Sequence, residues 1–545
     1  MNVVNSATPA TPATPEVPAA SAAPVTVRQA VFDLLRGHGV DTVFGNPGST
    51  ELPMFRDFPA DFRYVLGLQE SVVVAMADGH AQATRRLAVV NLHSAAGVGH
   101  AMGSLYTAAK TRAPLVVIAG QQSRSLLHGE PYLLNEDPGL LASPHVKWSR
   151  EPARPEDVPA AIARACHLAL TPPMGPVMVS VPADDWDRPA SPVAPRKVGT
   201  VLNADPELLA ETGRALAGAR SPAFVVGAEV DREQALDDVV ELAEAHGARV
   251  WAAPMSHRCS FPERHPLFAG FLPPVREGVV AELAGHDLVL VLGAPAFTYH
   301  VPGEGPFLSP GTRLYQFTDD AQRAAWTPEG VSVLTSVRPA VRQILAAHGP
   351  DRPRSRPAPR RPAERVTVTG PYVTPSYLVQ TLADLRPKGS VIVEEAPSTR
   401  PVMCEHLPND GPDSFFTTAG GALGYGLPAA VGMALARPDR QVIAVLGDGS
   451  AMYAIQALWS AARLGVRLVV VVVDNGGYAT VDSFARRFGI DKPSGTELGG
   501  LDFPGLAAAQ GCSGEQVTRP EALGQALRRA FESPLPYVVS VVVRQ

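Results

Sequence analysis

One stretch, from Gln441 to Tyr478, restricts this chain to an α/β architecture. The apolar run Val442-Ile443-Ala444-Val445-Leu446 ends in Gly447-Asp448-Gly449-Ser450, and a helix-compatible segment follows to Gly465. A second run, Leu468 to Val473, then ends in Asp474-Asn475-Gly476-Gly477-Tyr478. Two apolar runs of strand length joined by a helix read as a βαβ unit. Parallel strands open their carboxyl ends on one crevice, so Asp448 and Asn475, 475 − 448 = 27 positions apart, project side-chain oxygens to one place. Two hard oxygen ligands, the carbonyl of Gly477 and glycines that admit close backbone approach suit a magnesium ion holding a diphosphate. Turn chemistry alone would also account for Gly-Asp-Gly and for Asp-Asn-Gly-Gly. Their pairing at two strand ends of one unit is what favours the ion site.

At 545 residues the chain exceeds one ordinary domain, and its 46% hydrophobic and 18% charged residues fit large, well-buried globular domains. A net charge of −6 without a basic block argues against a nucleic-acid partner. Cys166, Cys259, Cys404 and Cys512 form no Cys-x-x-Cys pair, so they read as buried thiols of a cytoplasmic protein, with neither zinc nor disulfides. The longest apolar runs fall far short of a membrane helix. Residues 1–24, rich in Ala, Pro, Thr and Ser, read as a disordered tail and not a targeting segment.

Helix-like and strand-like segments alternate from Val25 onward, beginning with a helix over Val27 to Gly37. Strands are predicted at 42–44, 64–68, 88–92 and 115–119, and again at 223–226, 249–252, 287–292 and 313–317. This is the rhythm of open parallel sheets. Pro-rich segments near 188–196 and Pro/Arg-rich residues 349–365 mark linkers. The expectation is three doubly wound parallel-sheet domains over 25–195, 196–348 and 366–545.

In the first domain Glu70 lies between a strand-like segment and the apolar run Ser71 to Met76, a setting that is costly for a lone carboxylate. It is equally a helix-start glutamate favoured by the dipole. His93 ends a strand and enters a small-residue turn, where a hydrogen-bonded structural role is the ordinary reading. Gly97-x-Gly99-x-x-x-Gly103 is a dinucleotide fingerprint with one residue too many, and Gly120-Gln121-Gln122 offers no acid to a ribose, so an NAD site is set aside.

The Gly-Asp-Gly stretch followed by Asp474-Asn475 resembles the diphosphate-binding signature of thiamine diphosphate enzymes, with Asp474 where the pattern has a first Asn. Further motifs extend the likeness: Gly45-Asn46-Pro47-Gly48-Ser49, Glu70, Leu92 to Gly97, Gly120-Gln121-Gln122, Trp148, Val181 to Trp186, Gly293-Ala294-Pro295 and Tyr299-His300. In all three domains and in order, they resemble the thiamine diphosphate-dependent 2-oxo acid decarboxylases, the benzoylformate decarboxylases in particular. The resemblance covers residue 26 to the end.

The resemblance implies Asp448, Asn475 and the Gly477 carbonyl as ligands of Mg2+, and Gly421, Leu423, Gly447, Gly449, Ser450 and Tyr478 as further cofactor contacts. It implies Glu70 as the residue that activates thiamine diphosphate, Ser49 as the holder of the substrate carboxylate, and His93 and His300 as proton relays. Seen singly, Ser49 could be a helix cap, His300 a loop residue and Leu423 ordinary core. The substrate wall departs from the pattern: Tyr132 and Thr417 stand where leucine and phenylalanine are usual, and Thr480 where a smaller residue is, while Leu133 and Phe484 keep an apolar character. The expected function is non-oxidative decarboxylation of an aryl or bulky 2-oxo acid to aldehyde and carbon dioxide. The alternatives are a carboligase and, behind it, a non-catalytic paralogue. Because Glu70 and Asp448 lie in different domains that meet across a subunit boundary in this family, the resemblance implies a homo-oligomer, at least a dimer and by the family's habit a tetramer. It also implies no flavin in the middle domain.

Overall fold

Strands made of Val, Ile and Leu with almost no polar interruption have to be covered on both faces, which is the condition of parallel sheets flanked by helices. The computed structural model describes residues 24–544 except 352, 354, 355 and 369, and within them the chain forms three six-stranded parallel sheets. The first runs, edge to edge, Arg63–Leu66, Thr42–Asn46, Ala88–Leu92, Leu115–Gln121, Val177–Pro182, Ser149–Arg150. The last runs Phe415–Thr417, Val391–Glu395, Val442–Gly447, Leu468–Asp474, Tyr537–Val542, Ser513–Val517. Numbered by appearance in the chain, both have the order 2-1-3-4-6-5. The middle sheet, Phe268–Phe271, Arg249–Ala252, Pro222–Val226, Leu288–Leu292, Arg313–Thr318, Val331–Leu334, has the order 3-2-1-4-5-6. In each sheet the winding reverses beside its first strand, and ligands bind in the crevice at the carboxyl ends there.

The predicted βαβ unit is present: Val442–Gly447 pairs directly with Leu468–Asp474, and the connecting helix is split into Asp448–Met452 and Ala457–Leu464. Eight strands that the sequence reading did not name complete the sheets: Ser149–Arg150 and Val177–Pro182 in the first, Phe268–Phe271 and Val331–Leu334 in the middle one, and Val391–Glu395, Phe415–Thr417, Ser513–Val517 and Tyr537–Val542 in the last. The segment read as a linker near 188–196 is a strand in part. Pro189–Ala190 pairs antiparallel with Val25–Thr26 and closes the first domain on its own start. The glycines of the would-be dinucleotide fingerprint lie inside the Ser94–Thr111 helix and form no turn, which removes the geometry an NAD site needs. The predicted tail falls outside the described residues except for Pro24.

The first and last sheets share one hydrophobic cluster. Its centre is the crossing of the Glu70–Thr84 helix with the Gly426–Ala436 helix, whose sequence, apolar on every side, demands burial. The approach is close enough that only glycine fits on either side. A Cβ on Gly79 would sit 2.1 Å from the Ala429 carbonyl oxygen, and one on Gly432 1.9 Å from that of Met76. Buried Arg258 ties the three domains further, reaching Asp231 at 2.6 Å, Asp413 at 2.7 Å and the Gln82 side chain. No helix among the described residues is long and apolar enough to cross a membrane. The four cysteines are free thiols, three of them buried.

Candidate active site

The C-terminal half of the site forms at the reversal point of the last sheet. Asp448 opens a helix directly after the Val442–Gly447 strand; its Oδ1 accepts the Gly449 N–H at 2.7 Å and its Oδ2 the Gly477 N–H at 3.0 Å. The same Gly477 N–H lies 3.2 Å from Oδ1 of Asn475, whose amide reaches Ser398 Oγ at 3.4 Å. The two side chains predicted to converge are therefore joined by one backbone amide. Burial pushes the Asp448 carboxyl above its ordinary value, and the neighbouring Asp474 carboxylate pushes the same way. Neither forms an ion pair among the described residues. This surplus of negative charge, with the Asn475 amide oxygen and the Gly477 backbone beside it, fits a hard divalent cation. No cluster of three His, Cys, Asp or Glu occurs among the described residues, and a set of one carboxylate, one amide and one carbonyl does not require one. The Tyr478 ring fills the space a Cβ on Gly449 would occupy, at 2.3 Å, and Ser450 is buried beside Gly447.

Gly421 and Leu423 lie on a loop pinned from beneath by Glu395, the buried last residue of its strand. Its carboxylate accepts the Gly424 N–H at 2.6 Å and the Gly426 N–H as well, and Gly421 has φ +73°, a conformation glycine adopts without strain. A cleft of about 490 Å³ opens among the three domains, with Gly421 and His300 on its wall. The His300 ring stands 4.7 Å from that of Phe484, on the helix Ala479–Arg487 that also carries Thr480.

The other half forms at the reversal point of the first sheet. Ser49 is exposed and makes no side-chain hydrogen bond among the described residues; the position before its short helix is filled by Gly48, so it is not the cap. His93 caps the Ser94–Thr111 helix, with Nδ1 2.8 Å from Glu51 Oε2 and 3.0 Å from Thr50 Oγ1. Thr50 in turn donates to Glu51 Oε1 at 2.5 Å, and the Gly48 N–H to Oε2 at 2.8 Å. Glu70 begins its helix, as a helix-start residue would, and its carboxylate faces the Asn46 amide at 3.5 Å and His100 Nδ1 at 3.1 Å.

Thr50, Glu51, His100, Glu395 and Ser398 escaped the sequence reading. Two glycines signalled the first pair. A Cβ on Gly48 would strike the His93 ring at 2.3 Å and one on Gly120 would strike Glu51 Oε1 at 1.6 Å, so both motif glycines make room for the His93–Glu51 contact. The substrate-wall residues are dispersed. Tyr132 is 86% exposed, and Leu133 beside it has φ +66°. Thr417 is buried, and its hydroxyl donates to Glu394 Oε2 at 2.7 Å. In the single chain the Thr417 hydroxyl is engaged inside the last domain, while Tyr132 lies exposed on the first.

Three family models match the chain: the N-terminal TPP binding domain of thiamine pyrophosphate enzymes over residues 25–138, their central domain over 209–344, and their C-terminal TPP binding domain over 398–541. Benzoylformate decarboxylase of Pseudomonas aeruginosa is 43% identical over 521 residues, covering 95% of this chain and 98% of that protein. The solved thiamine diphosphate-dependent 4-hydroxybenzoylformate decarboxylase of Rhodococcus jostii RHA1 superposes with a TM-score of 0.93 at 40% identity, covering 95% of this chain and 99% of that one. An acetolactate synthase large subunit, from Parasynechococcus marenigrum, stands further off at 28% identity over 96% of this chain and 88% of that protein.

Proposed function

Since the chain belongs to the thiamine pyrophosphate enzymes, we propose that it decarboxylates an aryl 2-oxo acid to the aldehyde and carbon dioxide, as a benzoylformate decarboxylase does, and that the residues above carry the reaction. One observation supports the cofactor site most directly: a single backbone amide, that of Gly477, is shared by Asp448 and Asn475, at the ends of adjacent strands. Asp448, Asn475 and the Gly477 carbonyl would hold Mg2+, and Gly421, Leu423, Ser450 and Tyr478 would hold the body of thiamine diphosphate. When bound, the cofactor supplies a nucleophilic carbon and a sink for the electron pair of the broken C–C bond.

The chain's own part is to orient, to exclude water and to move protons. The exposed Ser49 hydroxyl is free to hold the substrate carboxylate. His93 has Nδ1 committed to Glu51 and Thr50, which fixes the ring and leaves Nε2 to exchange a proton with the substrate. His300, its ring tilted by 51° against that of Phe484, offers a second imidazole beside an aromatic wall that suits an aryl tail. Glu70 would hold the proton shared with the pyrimidine ring of the bound cofactor. Tyr132, with a phenol where the pattern has leucine, favours a substrate whose ring carries a polar substituent.

The two half-sites would be completed by a second copy of the chain, the first sheet of one subunit facing the last sheet of the other. Leu52, Leu66, Leu68 and Tyr132 near the first half and Tyr453, Phe488 and Ile490 near the second are all exposed in the single chain, which supports a dimer or a tetramer built from dimers. The test supplies thiamine diphosphate and Mg2+ and screens 2-oxo acids for aldehyde and carbon dioxide. Turnover of aryl 2-oxo acids above aliphatic ones is the expected result; carboligation of aliphatic acids without aldehyde release would overturn the assignment.

A further inference from the structure

One ionisable side chain beside the site has no part in the reaction so far. His100, on the exposed side of the Ser94–Thr111 helix, sets Nδ1 3.1 Å from Oε2 of Glu70, while the Asn46 amide approaches the other carboxylate oxygen at 3.5 Å. The imidazole is 64% exposed and the Glu70 side chain 12%, so the histidine is the wetter member of the pair. Among the described residues, the elements packed around the helix offer His100 no other counter-charge. The Glu70–Thr84 helix carries Glu70, Asp78 and His80, and the Asp78 carboxylate is taken by the Thr111 hydroxyl at 2.7 Å. The strands Ala88–Leu92 and Leu115–Gln121 and the helix Gly426–Ala436 have no ionisable side chain. His93 is held by Glu51, while His145 and Lys110 lie against Tyr106.

Resting on the reading of Glu70 as the activating carboxylate, we propose that His100 is a positioning residue that loads Glu70 with the proton it must share with the cofactor. A carboxyl group that shares a proton with a pyrimidine nitrogen holds one proton more than a free carboxylate. With His100 in its imidazolium form, that proton sits on Nδ1, 3.1 Å from Glu70 Oε2. It passes to Glu70 Oε2 as the N–H bond breaks and the O–H bond forms, leaving His100 neutral for as long as the cofactor is bound. The Asn46 amide, which does not ionise, holds the remaining oxygen throughout. The charge state of His100 thereby decides whether cofactor binding draws its proton from the protein or from solvent.

The consequence is a linkage that a simple hydrogen bond does not produce. While His100 is protonated, cofactor binding takes up no proton at Glu70 and affinity is level with pH. Once His100 has lost its proton, binding takes up about one, and affinity falls about tenfold per pH unit. The experiment titrates the full-length, cofactor-stripped enzyme with thiamine diphosphate at saturating Mg2+, by calorimetry in two buffers of different ionisation enthalpy, across the range in which imidazoles titrate. Proton exchange by the diphosphate and the metal is common to all variants and cancels in the comparison. The parent is expected to bend from level to falling affinity, and His100→Asn to fall about tenfold per pH unit throughout. His100→Gln, which also keeps an amide, is expected to match His100→Asn. If both amide variants keep the parent's bend, displaced by a constant factor, His100 is a hydrogen-bonding prop and the proposal is overturned. Glu70→Gln separates the two layers: it should abolish the proton uptake in every background, and an uptake unchanged from the parent would overturn the role of Glu70 itself.

Discussion

Replacing Gly432 by alanine tests the helix crossing that carries Glu70. In an open helix this change stabilises by about 0.5–1 kcal/mol, because glycine loses more backbone freedom on folding. Here the new methyl would meet the Met76 carbonyl oxygen at 1.9 Å, its carbon at 2.8 Å and the His80 amide nitrogen at 2.9 Å, all backbone atoms that cannot rotate aside. Ordinary contact needs about 3.3 Å, so the two helices must part by roughly an ångström along their shared face, loosening a close-packed core. Overpacking of this kind costs about 1–3 kcal/mol, which outweighs the propensity gain. A net loss near 1 kcal/mol lowers Tm by about 2–4 °C, read by thermal unfolding monitored by circular dichroism. Because Glu70 begins the displaced helix, kcat should fall with Tm while the proposed Mg2+ site, which lies on other elements, keeps its affinity. A Gly432→Ala protein as stable as the parent would refute the close approach.

Asp448→Ala removes the one charged ligand of the proposed ion site, and Mg2+-dependent binding of thiamine diphosphate should weaken at least a hundredfold, about 2.7 kcal/mol, by calorimetry. Tyr132→Leu alone should raise kcat/KM for benzoylformate relative to its 4-hydroxy analogue. Adding Thr417→Phe should instead destabilise the protein, since the Thr417 hydroxyl is buried on Glu394, and urea midpoints separate the two effects. Burial raises the Asp78 carboxyl to about 7. The folded protein therefore binds more protons than the unfolded chain between pH 4 and that value, and stability falls as pH rises through the interval and stays lower above it. Asp78→Asn, compared with the parent by denaturation at pH 5 and pH 8, should show a smaller loss at the higher pH.

What could be read before folding follows how local each signal is. Asp448 and Asn475 were legible because each ends a strand, and adjacent parallel strands bring their ends together without help from the rest of the chain. His93 was legible as a residue, but its partners were not: Glu51 reaches it only because Gly48 and Gly120 leave room, and that space exists only once the first sheet has closed. His100 and Glu70 are 30 positions apart on separate helices, so their pairing depends on how the two cross. The partner of Thr417 was not legible, because the sequence does not disclose that Glu394 on the neighbouring strand takes its hydroxyl. The strand Pro189–Ala190 was hidden by its prolines, which an edge strand tolerates and which otherwise spell a linker.

The crossing of Gly79 with Ala429 also sets a schedule for biosynthesis, since the two residues are 429 − 79 = 350 positions apart in the chain. The first sheet can assemble as soon as it leaves the ribosome, but the apolar side of its Glu70–Thr84 helix has no cover until the Gly426–Ala436 helix has been made. At about 5–20 residues per second, that face stays bare for roughly 18 to 70 seconds in every nascent chain. The middle domain, synthesised in the interval, is sealed by its own core and supplies no substitute. Yield in the cell should therefore depend on chaperone capacity more steeply than the stability of the finished protein would suggest, and truncations that end before residue 426 should accumulate as aggregates.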